Sequence, residues 1–117
     1  MSELQTVSTE FTRSSPAAAK RAPLLLLADA DGASRDHHAA LLTRRGFRVA
    51  IARTGFEAIV KASCTLPDVI LLDDSLGDSH VRETFELLST CPATAHIRIV
   101  SLKRGRALPR RLLAISR

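Results

Sequence analysis

The 117-residue chain predicts an α/β fold built on a parallel sheet, and three observations carry that expectation. From Leu24 onward short apolar runs alternate with helix-like stretches of about ten residues, the pattern of strands joined by right-handed crossover helices. Val69 to Leu72 is apolar without interruption, which implies burial on both faces, as in the middle of a parallel sheet. Gly46, Pro67 and Pro92 stand where the helical stretches must stop.

Residues 1–22, rich in Ser, Thr and Ala, show no sustained period of 2 or 3.6 and are expected to form a disordered leader. The domain proper is expected over residues 23–102. Leu24 to Ala28 reads as the first strand and Ala33 to Arg45 as the first helix, with His37, Ala40, Leu41 and Arg44 on one face and His38 and Leu42 beside it. Phe47 to Ala52 follows as a strand through the alternation of Phe47, Val49 and Ile51. Thr54 and Glu57 have capping-box spacing at the start of a second helix, whose inward stripe is Ala58, Ile59 and Ala62. Val69 to Leu72 is the third strand, and Ser79 to Ser89 a third helix with Val81, Phe85 and Leu88 facing in. Ile97 to Leu102 is the fourth strand. Residues 103–117 form a basic amphipathic segment with Pro109 near a helix start and Leu108, Leu112 and Ile115 on one side.

The net charge of +5 suggests a nucleic-acid partner only until it is divided along the chain. Residues 23–102 carry eight bases against ten acids, whereas residues 103–117 carry six bases and no acid. The basic character therefore belongs to the last segment, for which core packing is the leading reading and contact with a membrane surface or nucleic acid the alternative. No aromatic residue lies between its arginines, so base stacking is not supported and nucleic acid is not the expected partner. No apolar run approaches the roughly 18 residues needed to span a bilayer, and no secretory signal pattern opens the chain, so a cytoplasmic location is expected. Cys64 and Cys91 are far from CxxC spacing and read as reduced, buried thiols. There is no glycine-rich phosphate loop, which removes the nucleotide-binding version of the same architecture.

Chemistry concentrates at the strand ends. Asp73 closes the central apolar run, and Asp29 and Asp31 follow the first one. Carboxyl ends of adjacent parallel strands share one crevice, so these carboxylates are expected to lie together as a candidate site for a divalent cation and a phosphoryl group. Asp29 reads as a ligand ahead of a helix cap, and Asp31 as a cap ahead of a substitute ligand. Asp74 and Asp78 read as loop or capping residues. His37, His38, His80 and His96 have no HxxxH partner and read as packing or surface groups.

Several segments carry a family resemblance: Leu26-Leu27-Ala28-Asp29-Ala30-Asp31, Gly46-Phe47-Arg48-Val49, Arg53-Thr54-Gly55-Phe56-Glu57-Ala58 and Pro67-Asp68-Val69-Ile70-Leu71-Leu72-Asp73. Over Leu24 to Leu102 the chain resembles the first four strands of a response-regulator receiver domain. The resemblance implies a three-layer, flavodoxin-like parallel sheet with four strands in the order 2-1-3-4. It further implies that the chain is not an enzyme in the ordinary sense but accepts a phosphoryl group on Asp73 from a histidine kinase or phosphotransfer protein. Mg²⁺ would be held by Asp29, Asp73 and the backbone carbonyl of Ser75, since this ion takes oxygen ligands and is satisfied by one or two carboxylates.

Three departures from the family pattern qualify that expectation. Ala30 replaces the second of two adjacent acids after the first strand, which weakens the Mg²⁺ site. Lys103 stands where a Thr or Ser hydroxyl is expected at the end of the fourth strand; lysine can still contact a phosphoryl group as a point charge. The chain stops before the family's fifth strand and helix, so the fourth strand, with Ile97, Ile99 and Ser101, is expected to be an exposed edge open to self-association. A receiver that works without phosphorylation, purely as an interaction module, is the competing expectation.

Overall fold

The apolar segment that reads as a central strand does lie inside a sheet. The computed structural model describes residues 22–103 and 108–110. In chain order the elements are β1 (Leu24–Ala28), α1 (Gly32–Arg44), β2 (Arg48–Ala52), α2 (Gly55–Thr65), β3 (Val69–Asp73), a single 3₁₀ turn (Asp74–Leu76), α3 (Asp78–Thr90) and β4 (Arg98–Leu102). The four strands pair in the order β2-β1-β3-β4, all parallel, as expected. Every residue of β3 is buried, which is what an uninterrupted apolar strand covered on both faces requires.

Alternation along the strands separates two cores. Leu25, Leu27, Val69, Leu71, Val100 and Leu102 point to one face with Leu42 of α1 and Phe47. Leu26, Ala28, Ile70 and Leu72 point to the other, under Ala58 and Ala62 of α2 and Leu88 of α3. The result is three layers, with α1 on one side of the sheet and α2 and α3 on the other. At about 25 cal/mol per Å² of apolar area, the fully buried leucines and isoleucines of β1 and β3 each contribute about 2 kcal/mol.

Helix ends follow the local chemistry. Asp31 caps α1 by accepting from the Ser34 N–H at 2.9 Å, and Gly46, at φ 99°, ends it in a conformation that side chains resist. Thr54 caps α2 by accepting from the Glu57 N–H at 3.0 Å. Glu57 reaches back to the Arg53 N–H at 2.6 Å, one residue earlier than the reciprocal bond of an ideal capping box.

The inward face of α1 is fixed by the structure, and the expectations for Phe85 and for the two cysteines are corrected. On α1 the inward residues are Leu42 and Ala39, whereas His37, Ala40 and Arg44 are exposed, because the first turns of this helix lie over polar strand ends and only its second half meets the apolar core. Phe85 of α3 is 45% exposed, and the stripe that packs inward is Val81, Thr84 and Leu88. The reason is a close approach of α2: a Cβ on Gly55 would stand 2.2 Å from the Thr84 Oγ1, so the helix turns its small face, not its phenylalanine, toward its neighbour. Cys64 is exposed and Cys91 half-buried, both free, so neither is the buried thiol expected.

Residues 1–21 of the expected leader lie outside the described residues, as do residues 104–107 and 111–117 of the basic segment, including Leu112 and Ile115. Leu108 is described and packs against the α1-side core, in keeping with core packing for that position. Among the described residues β4 pairs with β3 alone; on this strand end Ile97 is buried, Ile99 half-buried and Ser101 exposed.

Candidate functional site

The register of the two central strands builds the site. Ala28 lies beside Leu72, so the next residues along, Asp29 and Asp73, emerge together at the carboxyl ends of β1 and β3. Both are buried, at 0% and 2% exposure. They share side-chain parity with Leu27 and Leu71 and therefore lean toward α1.

Asp29 is held from several directions. Its Oδ1 accepts from the Asp31 N–H at 2.9 Å and from the Ser75 hydroxyl at 2.8 Å; its Oδ2 accepts from the Ser34 hydroxyl at 2.8 Å. Its backbone carbonyl accepts from Arg35 Nη1 at 3.0 Å, and its N–H donates to the Ala52 carbonyl at 3.0 Å. Burial pushes the Asp29 carboxyl up, but the hydrogen bonds from Ser34, the Asp31 backbone, Ser75 and His38 outweigh it and hold the group below its ordinary value. Asp29 thus stays ionised although it is enclosed.

Asp73 uses one oxygen locally, its Oδ2 accepting from the Ser75 N–H at 2.9 Å and capping the 3₁₀ turn. Ser75 joins the strands: its hydroxyl accepts from the Ala30 N–H at 2.9 Å while donating to Asp29. The third partner comes from α1. His38 places its Nδ1 3.6 Å from Asp29 Oδ2 and 3.3 Å from the Ser34 Oγ. One ligand atom each from Asp29, His38 and Asp73 fall within 4.8 Å of one another. Two buried carboxylates beside a ring nitrogen form a donor set suited to a divalent cation, whose charge would offset their mutual repulsion.

Of the residues singled out in the sequence, Asp29, Asp73 and Ser75 are brought together. Asp31 is not: it is exposed, and its side chain is committed to capping α1. Lys103 is exposed one residue beyond Leu102, the residue that pairs with Asp73, and lines a cleft of about 430 Å³ with Asp74, Asp78, Arg82 and Ser101. His38, expected to be a packing or surface group, places a ring nitrogen beside the acidic pair. The Ser34 and Ser75 hydroxyls join the site without any expectation for them from the sequence. A signal for the α1 pair existed in the spacing, since Ser34 and His38 are four apart and so share a face on the helix that leaves the acidic strand end.

A three-layer, flavodoxin-like sheet with buried carboxylates at the ends of its two central strands is the architecture of a receiver domain. No protein-family profile and no curated protein matches the chain. Among solved structures it is similar to the N-terminal domain of a response regulator receiver protein from Methanoculleus marisnigri, with 30% identity, a TM-score of 0.66, and coverage of 74% of this chain and 71% of that one. It is also similar in fold to the signal receiver domain of a signal transduction histidine kinase from Syntrophus aciditrophicus, with 22% identity, a TM-score of 0.64, and coverage of 81% and 70%. The pseudo-receiver domain of the CikA protein shares the fold at 21% identity, a TM-score of 0.51, and coverage of 81% and 78%. The chain belongs to the response-regulator receiver family.

Proposed function

We propose that this receiver domain accepts a phosphoryl group on Asp73 from a phosphohistidine of a histidine kinase or phosphotransfer protein. The observation that carries the reading is the pairing of Asp73 with an ionised, buried Asp29 at the carboxyl ends of adjacent central strands. A carboxylate is a weak nucleophile and succeeds only when the incoming group is aligned and its charge offset. In the transfer, an Asp73 oxygen forms a bond to phosphorus as the donor's P–N bond breaks, and that electron pair returns to the imidazole nitrogen. The Ser75 N–H holds the other side of the Asp73 carboxylate in place, and the Ser75 hydroxyl fixes Asp29 beside it. Lys103, one residue beyond the partner of Asp73 on β4, would supply a positive charge for the phosphoryl oxygens.

Asp29, Asp73 and the Ser75 carbonyl would hold Mg²⁺, whose bound charge offsets that of the phosphoryl oxygens. Ala30 supplies no carboxylate, and this favours a second reading in which the domain acts as a pseudo-receiver through protein contacts alone. Incubation of the intact protein with Mg²⁺ and acetyl phosphate, read by mass spectrometry, separates the two. The phosphoacceptor reading expects the mass of one added phosphate, lost in Asp73→Asn and kept in Asp74→Asn. An unlabelled wild-type protein, or a label that survives Asp73→Asn, overturns it in favour of the second reading.

A further inference from the structure

We infer that the cation site of this domain is a mixed carboxylate and imidazole site, with His38 as a third protein ligand, and that it prefers Zn²⁺ over Mg²⁺. The inference rests on the reading of Asp29 and Asp73 as a cation site and adds a ligand to it. It goes beyond that reading because it changes the class of metal.

Three observations point to His38. One of its ring nitrogens belongs to the same 4.8 Å cluster as a carboxylate oxygen of Asp29 and one of Asp73. Its side chain is 14% exposed and comes from α1, so the three ligands arrive from three different elements, β1, β3 and α1, around one point. Ser34 lies between helix and strand, its hydroxyl donating to Asp29 Oδ2 and in contact with the His38 ring nitrogen, so the ring is oriented toward the pair and not into solvent. Each carboxylate oxygen can accept two bonds; Asp29 Oδ1 is filled by the Asp31 N–H and the Ser75 hydroxyl, while Oδ2 takes only the Ser34 hydroxyl and keeps one lone pair for a metal.

The ligand chemistry then sets the preference. Mg²⁺ demands oxygen donors and surrenders its waters reluctantly, so an imidazole gains it little. Zn²⁺ binds both imidazole and carboxylate, and in catalytic sites is commonly held by three protein ligands with water in the fourth position. With Ala30 in place of an acid, the site has two carboxylates, and His38 completes the set of three. Donor atoms bound to one tetrahedral zinc lie about 3.3 Å apart at bond lengths of about 2.0 Å, so binding draws the cluster in by up to roughly 1.5 Å. His37, the neighbour in sequence, is exposed and outside the cluster, and serves as an internal control.

The test is isothermal titration of the tag-free full chain with ZnCl₂ and separately with MgCl₂, on wild type, His38→Gln, His38→Ala and His37→Gln. Unchanged far-ultraviolet circular dichroism shows that each variant is folded. Losing an outer residue around a metal lowers affinity by roughly 10–100-fold, so losing a ligand should weaken Zn²⁺ at least tenfold in both His38 variants, with Mg²⁺ within about threefold of wild type and His37→Gln unchanged. Co²⁺ in place of Zn²⁺ should give intense visible absorption bands that His38→Gln removes. Zn²⁺ affinity that is indifferent to His38, or lost equally in His37→Gln, overturns the inference while the acetyl phosphate label on Asp73 still decides the proposed function. Absence of any Zn²⁺ binding at the acidic pair also overturns it.

Discussion

Gly55→Ala should destabilise the domain, although alanine is the better helix former. Gly55 is the first residue of α2, and an added Cβ would meet the Thr84 Oγ1 at 2.2 Å, with the Thr84 Cβ at 3.5 Å. The hydroxyl must move by about 1 Å or the helices must part, and Thr84, 3% exposed, has little room to move. Forcing extra atoms into a packed contact costs about 1–3 kcal/mol, while replacing glycine by alanine returns at most about 1 kcal/mol at a helix position. Setting the two against each other leaves a net loss centred on about 1 kcal/mol, or a Tm lowered by about 4–8 °C for a domain of this size. Urea denaturation of wild type, Gly55→Ala, Thr84→Ala and the double variant measures it, with m unchanged if only native packing is altered. In the double variant the new methyl meets the residue 84 Cβ and the His80 carbonyl oxygen, both at ordinary contact, so the cycle should show a favourable coupling within the roughly 0.5–3 kcal/mol range of touching residues. A neutral Gly55→Ala, or strictly additive losses, would refute the argument that this contact turns α3.

Two further outcomes follow from local structure. Because the folded Asp29 carboxyl is held below its ordinary value of 3.8, the unfolded chain binds a proton first; the stabilisation is complete above that value and lost as pH falls through the lower folded one. Stability measured from pH 7 to 3 should therefore fall in wild type and fall less steeply in Asp29→Asn, and identical acid slopes would contradict the assignment. Leu66 ends α2 at φ 47° with its side chain 53% exposed. Leu66→Gly should relieve about 1–2 kcal/mol of left-handed strain against about 0.5–1 kcal/mol of added chain entropy, raising Tm by a few degrees in a thermal melt.

The sheet was legible because its signals are local and redundant. Val69 to Leu72 can be buried on both faces only in a central parallel strand, and the glycine at 46 and the threonine at 54 mark helix ends by backbone chemistry that tertiary contacts do not overrule. Faces of helices were less legible. Phe85 looks like the natural core residue of α3, yet the pairing of Gly55 with Thr84, far apart in sequence and in direct opposition in space, decides which side packs. The same holds at the site. Asp29 and Asp73 could be read from strand ends, since register alone unites them. His38 could not be ranked above His37 until the rotation of α1 was fixed by Leu42, and the Ser75 hydroxyl bridge depends on the path of a three-residue turn.

The alanine at position 30 and the histidine at position 38 bear on a single electrostatic balance. A crevice with two acids after the first strand and one after the third carries three negative charges, and a divalent cation leaves it at −1. With Asp29 and Asp73 alone, the same cation brings the crevice to neutrality, and His38 adds a donor without adding charge. A unit charge pair at about 4 Å and an effective dielectric of about 20 interacts by about 4 kcal/mol, so the missing carboxylate weakens attraction for the cation and, to a comparable degree, repulsion of an arriving phosphoryl group. On the proposed reading the two changes oppose each other: cation binding is weaker unless a ring nitrogen compensates, while approach of the anionic group to Asp73 is easier once a cation is bound. Occupancy by the cation, more than the reactivity of Asp73, then limits phosphoryl transfer. Raising the divalent cation concentration should therefore increase labelling of the wild-type protein, and Ala30→Asp should shift that dependence to lower concentration without being required for the label itself.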